Sequence, residues 1–293
     1  MLGSATGGSL WWVWNFDPLE LAPVLLVVLL YARRARTLAA RGRTVPRARR
    51  LAFYGGMAVV VLAVVSPIDT VGEERLLFMH MTQHILIGDL GALLVVVGLT
   101  GPLLRPLLAL PYLGRLRVLA HPLVALPVWA ANLYVWHSPL LYQAALRHDP
   151  IHALEHGLFF VTGALMWAAL IEPLPGPDWF GAGWKMVYVI VVRALTATLG
   201  YIFMMGSRPY YSWYAHVSRL AGASPVTDQT IAGEIMLLEG MFVTLIVLGW
   251  LLGRFIGDHD LRQTLLEAGV DEHTASRAAR YRRRPVETPL PKV

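Results

Sequence analysis

Apolar residues in this chain gather into long runs, without the two-residue alternation of a strand or the single stripe of a soluble helix. Runs near 18–38, 51–67, 75–98, 121–136, 150–171, 185–206 and 229–256 are separated by short polar or Pro/Gly-containing stretches. A bilayer core needs roughly twenty apolar residues in a helix, so the pattern predicts an all-α integral membrane protein with seven transmembrane helices. The fourth run is short, and Pro122 and Pro127 predict a kink or a flanking extension there. Residues 1–256 thus read as one seven-helix membrane domain. Residues 257–293 read as a short amphipathic helix and a basic, Pro-containing cytoplasmic tail, solvated or lying on anionic lipid.

The helix starts can be read in more detail. "TVGE", Thr70 to Glu73, has the spacing of a capping box and predicts the start of the third span. "HDP", His148 to Pro150, predicts Asp149 as N-cap and Pro150 as the first residue of the fifth.

Charge sets the orientation. The first inter-span loop holds Arg41, Arg43, Arg47, Arg49 and Arg50, the third Arg105, Arg115 and Arg117, and the tail ends its cluster in "RYRRR". The opposite loops hold few arginines, which by the positive-inside rule puts the N-terminus outside and the C-terminus inside. This arrangement explains the net charge of +6 without a nucleic-acid partner. The first residues lack a basic segment ahead of their apolar part, so they do not read as a cleaved signal peptide. There is no cysteine, so a bound metal would depend on His, Met or carboxylate.

The topology makes the histidines informative. His80, His84, His137, His148, His152, His156 and His216 all fall on the outer side, against His121, His259 and His273 inside. His80/His84 and His152/His156 are i,i+4 pairs, which share a helix face with Cβ atoms about 6 Å apart. His148 would extend the second pair by a turn. Counting about 1.5 Å per residue puts both pairs at comparable shallow depths, where four imidazoles can share one ion. Met79 and Met81 flank His80, and Met204 and Met205 end the sixth span on the same side. Thioether with imidazole and no thiolate favours copper, Cu(I) above all. Asp89, Glu155, Glu234 and Glu239 are further ionisable groups inside spans. Glu155 reads as lying on a different face from His156 and orienting a neighbour. Asp89 reads as a deeper supporting or proton-relay group. Asp228 and Gln229 open the seventh span, where Asp is a natural cap.

Other chemistries share these residues. "HALEH" is also H-x-x-E-H, the inverted zincin motif. Facing membrane histidines can ligate b-type haem for electron transfer. Histidines can also only hold helices together in a metal-free scaffold. Retinal is disfavoured, since Lys185 and Lys292 are the only lysines and the seventh span has none.

"HMTQH", "NLYVWHSPLLYQAAL", "HALEHGLFFVTGALMW" and "DQTIAGEIM" together resemble the CtaG family of seven-helix membrane proteins needed for cytochrome c oxidase assembly. The resemblance covers roughly 18–256, with Leu237 where the family usually has tryptophan. It implies a non-enzymatic assembly factor in the bacterial plasma membrane, delivering copper to subunits of a haem–copper oxidase. An external copper donor protein would be a further partner. It also implies functional positions at His80, His84, His137, His152, His156, Asp228 and Gln229.

Overall fold

The computed structural model describes residues 12–110, 113–215 and 223–281, and every regular element among them is helical. In chain order these are α1 (Pro18–Ala40), α2 (Arg47–Val65), α3 (Pro67–Glu74), α4 (Leu77–Gly98), α5 (Gly101–Leu108), α6 (Pro122–Trp136), α7 (Pro139–Ala145), α8 (Asp149–Ile171), α9 (Ala182–Met205), α10 (Ser212–Ala215), α11 (Pro225–Glu267) and α12 (Glu272–Tyr281). Five of them, α2, α4, α8, α9 and α11, are long and apolar enough to cross a membrane. The chain is a helical membrane protein. Helix α6 is apolar but has 15 residues, and α1 has 23 but takes in Glu20 and the arginines from Arg33 onward.

Four local readings of the sequence are corrected. Thr70 and Glu73 do not start the third span: they lie inside the separate helix α3, which is capped by Ser66. The N-cap of α4 is Leu76, whose side chain has nothing to offer a free amide. The carboxylate of Asp228 supplies the cap instead, accepting from the backbone N–H of Leu77 at 2.8 Å and of Phe78 at 3.0 Å. Asp228 therefore does not cap its own helix; Ser224 does, through the N–H of Thr227. At α8 the N-cap is His148 and Asp149 is already helical, a shift of one residue that takes His148 out of the helix. The fourth correction concerns the tail: the last apolar helix does not stop near 256 but runs unbroken for 43 residues to Glu267. At about 1.5 Å per residue that is roughly twice a bilayer core.

Of the described residues, those up to Gly176 together with Ala194–Gly240 form one compact unit. Its helices meet through glycine. A Cβ on Gly163 of α8 would sit 1.9 Å from the carbonyl oxygen of Gly88 on α4, so the two backbones touch there. Gly233 on α11 stands in the same relation to Gly200 on α9, at 2.4 Å. Lipid tails are as apolar as leucine, so close backbone approach, more than apolar burial, drives such association. Gly88 lies in a π-helical turn, Leu86–Gly91, that interrupts α4 one step beyond its histidines. The extra residue in that turn shifts the face presented by Asp89 relative to His80 and His84. The C-terminal end of α4 is capped by Arg49, which donates to the carbonyls of Val97 and Leu99.

The second unit comprises Pro177–Arg193 and the described residues from Met241 onward. Gly269, at φ +81°, turns the chain out of α11 into α12. Arg280 of α12 donates to the carbonyls of Pro177, Asp178 and Phe180, and Arg262 pairs with Glu272 at 2.5 Å. The region read as a short amphipathic helix and a basic tail is helical over much of its length up to Tyr281.

Gly163→Ala should force α4 and α8 apart and lower thermal stability in detergent by about 1–3 kcal/mol or more. Gly157→Ala, one helix face away with open space around its Cβ, should be neutral or slightly stabilising in the same melt.

Candidate metal centre

His80 and His84 are the fourth and eighth residues of α4, and His152 and His156 hold the same positions in α8. The Gly88–Gly163 contact sets these faces against each other. Ring centroids lie 4.4 Å apart within the α4 pair and 4.0 Å within the α8 pair. Across the helices His80 is 5.3 Å from His152, and His84 is 5.5 Å from His156. All four rings are buried.

The hydrogen bonds around the rings are asymmetric. His152 Nδ1 lies 2.6 Å from Glu73 Oε1, and His156 Nδ1 lies 2.5 Å from Glu20 Oε1. A carboxylate on Nδ1 fixes the ring's tautomer and turns a basic Nε2 the other way, as in carboxylate–histidine–metal arrangements. Both Nε2 atoms are buried without a hydrogen-bond partner. On α4 the Nε2 atoms of His80 and His84 approach to 2.8 Å, while both Nδ1 atoms are unpartnered. Glu155, fully buried, brings one carboxylate oxygen to 3.9 Å from His80 Nε2 and the other to 3.7 Å from His84 Nε2. Neither of these oxygens has a hydrogen-bond partner. Buried polar atoms are nearly always satisfied, so this many together make the cluster a candidate ligand site. Several overlapping groups have ligand atoms within 4.8 Å of one another: His80/His84/His156, His80/His152/Glu155, Glu20/His152/His156 and Asp69/Glu73/His152.

Glu155 is therefore not off the histidine face. It follows His152 by three residues, and i,i+3 neighbours share a face as i,i+4 neighbours do. Glu20 and Glu73 went unnoticed as partners, although an acidic residue in the apolar start of α1 was itself a signal. A polar belt supports the outer rim: Asp69 accepts from Gln83 Nε2 at 2.6 Å and from Asn15 Nδ2 at 3.0 Å. Gln83, fully buried, also donates to the Ala63 carbonyl at 3.1 Å, tying α4 to α2. Tyr142 of α7 packs 5.0 Å from the His80 ring and stacks on Tyr211 at 3.9 Å. Its hydroxyl lies 3.3 Å from that of Tyr214, which donates to the Gly72 carbonyl. Burial pushes all three phenols up, so they stay neutral beside the carboxylates.

The remaining predicted residues separate clearly. His137 and Met81 come together at the edge of the cluster, His137 Nε2 lying 3.4 Å from Met81 Sδ. Met79 packs against Val71 and Leu76, Met204 is half-buried on α9, and Met205 is 80% exposed. Asp89 accepts from Trp167 Nε1 at 2.9 Å and lines a cavity of about 50 Å³ with His84 and His137. Gln229 binds backbone at Phe203, Arg208 and Tyr210, and Asp228 binds the start of α4. His148 is exposed at its N-cap, and His216 lies outside the described residues.

The sequence model of the cytochrome c oxidase caa3 assembly factor family, Caa3_CtaG, matches residues 29–257. The chain belongs to that family. Every imidazole of the cluster lies inside the matched range, whereas Glu20 precedes it. Curated relatives include the uncharacterized proteins Mb0105 of Mycobacterium bovis and MT0111 of Mycobacterium tuberculosis, each 26% identical over 242 residues. ML1998 of Mycobacterium leprae is 24% identical over the same length. In each case the alignment takes in 76% of this chain and 36% of the relative, so the chain spans about a third of their length. No solved structure gives a significant match.

One titration is readable at the rim of the site. Burial, with the Glu73 charge beside it, pushes the Asp69 carboxyl from its ordinary 3.8 up to about 7, against the hydrogen bond from Asn15. Between those values the folded protein keeps a proton that the unfolded chain has released, so this residue makes stability fall as pH rises. Asp69→Asn should flatten the pH dependence of the melting temperature between about pH 4 and 7, whatever its offset.

Proposed function

We propose that this assembly factor takes up copper at the cluster of His80, His84, His152, His156 and Glu155 and hands it to a subunit of a haem–copper oxidase. The observation that carries the reading is the pairing of His152 with Glu73 and of His156 with Glu20, which leaves unpartnered Nε2 atoms in one buried space. Histidines that only held helices together would have both nitrogens satisfied. The b-type haem reading loses support from the same geometry. Two axial imidazoles would have to face each other across the macrocycle, whereas the rings from the two helices pack at 5.3 and 5.5 Å between centroids, tilted or edge-on.

The bundle has seven spans, with α1 and α6 completing the five that qualify by length and composition, and it lies in the plasma membrane. The arginine bias puts the N-terminus and the cluster at the outer face, where an external copper donor protein has access. Glu73, 30% exposed by side chain, marks the opening on that side. Imidazole suits copper in both oxidation states, and Glu155 supplies charge that a cation entering a low-dielectric site requires. The chain acts as a carrier and catalyses no reaction.

A His80→Ala/His84→Ala variant should lose the copper retained by the purified full chain, measured by elemental analysis with a competing chelator. Glu20→Gln or Glu73→Gln should weaken retention about 10- to 100-fold, because each removes the group that orients an imidazole. Unchanged copper content in the double-histidine variant would overturn the reading. In cells, the same variants should lower the yield of assembled oxidase.

A further inference from the structure

The contact between His137 and Met81 is chemically odd. His137 Nδ1 lies 2.7 Å from the Leu133 carbonyl oxygen, which can only accept, so Nδ1 carries the hydrogen. The ring is enclosed by Tyr142, Phe159 and Phe203, surroundings that hold it neutral. In that tautomer Nε2 presents a lone pair. At 3.4 Å it faces the sulfur of Met81, which has no hydrogen and presents lone pairs of its own. Two acceptors point at each other with nothing between them.

Both side chains are held there. Met81 is 1% exposed and follows His80 directly on α4. The His137 carbonyl accepts from Tyr211 at 2.9 Å, so the residue is pinned through ring and backbone. A soft cation between the two lone pairs would turn this mutual repulsion into two bonds, since thioether and imidazole are ligands that favour Cu(I). His84 stands 5.8 Å from His137 by ring centroids, so an ion leaving the four-histidine cluster has a short step to make. Met81, His84 and His137 together line the cavity that Asp89, Met236 and Glu239 also border.

We propose that His137 Nε2 and Met81 Sδ form a second site, for a soft monovalent cation, that receives Cu(I) from the four-histidine cluster. Naming copper rests on the function proposed above; the nitrogen–sulfur pair itself rests on geometry. The two sites differ in chemistry. The first offers imidazole and carboxylate to a borderline cation, and the second accepts only a soft one.

The test is X-ray absorption at the copper edge on the full chain, purified in detergent and loaded anaerobically with Cu(I). The expected result is a sulfur neighbour in the wild-type protein that is lost in Met81→Leu and in His137→Gln, with nitrogen neighbours kept in both. The second variant gives the answer if the first fails to fold. Silver(I), a redox-inert soft probe, should compete for the sulfur-bound copper and leave the remainder in place. Copper bound with only nitrogen and oxygen neighbours would overturn the second site and leave the four-histidine reading standing. A sulfur neighbour that persists in both variants would also overturn it, since other methionines would then supply the sulfur. A wild-type protein that binds no copper would overturn both.

Discussion

The structure turns on how five buried polar side chains are satisfied inside an apolar bundle. Four imidazoles and a glutamate inside an apolar bundle each need a partner. Two of the imidazoles find theirs in Glu73 and Glu20, which come from α3 and α1. Those two helices are tied to the bundle by the pairing, and the pairing in turn fixes which nitrogen of each ring faces inward. The other polar atoms are left facing one another. Such an arrangement is stable only if something else holds the helices in place, because the cluster does not hold itself together.

That support is backbone packing. Gly88 and Gly163 let α4 and α8 touch, Gly200 and Gly233 do the same for α9 and α11, and Gln83 ties α4 to α2. These contacts involve no residue of the cluster, and the one between Gly88 and Gly163 joins the two helices that carry all four rings. The π-helical turn at Leu86–Gly91 belongs to the same scheme. It places Gly88 against α8 while Asp89 reaches Trp167.

The helical membrane class was legible because apolar runs and bilayer thickness are matched by length, and the histidine pairs were legible because helical spacing is regular. His80/His84 and His152/His156 do meet across the two helices. What escaped was whatever depends on a distant partner. Glu73 looked like half of a local capping box, and nothing near it in sequence points to His152, 79 residues later. Asp228 looked like a cap for its own helix and instead serves α4. Glu155 was misplaced for a different reason, since the i,i+3 relation to His152 was overlooked in favour of its adjacency to His156. Methionine was over-read: of Met79, Met81, Met204 and Met205, only Met81 meets an imidazole at the site, which fits its ordinary use as a filler of apolar gaps.

The bond from Asp228 to the first turn of α4 also has a meaning in time. Its two residues are separated by 151 positions along the chain. At about 5–20 residues per second, the ribosome delivers Asp228 roughly ten to thirty seconds after Leu77. α8 and its two imidazoles arrive about half-way through that interval, and until its end the helix start that bears His80 has two uncapped amides. The histidine face acquires a firm edge only when the last apolar helix has been inserted.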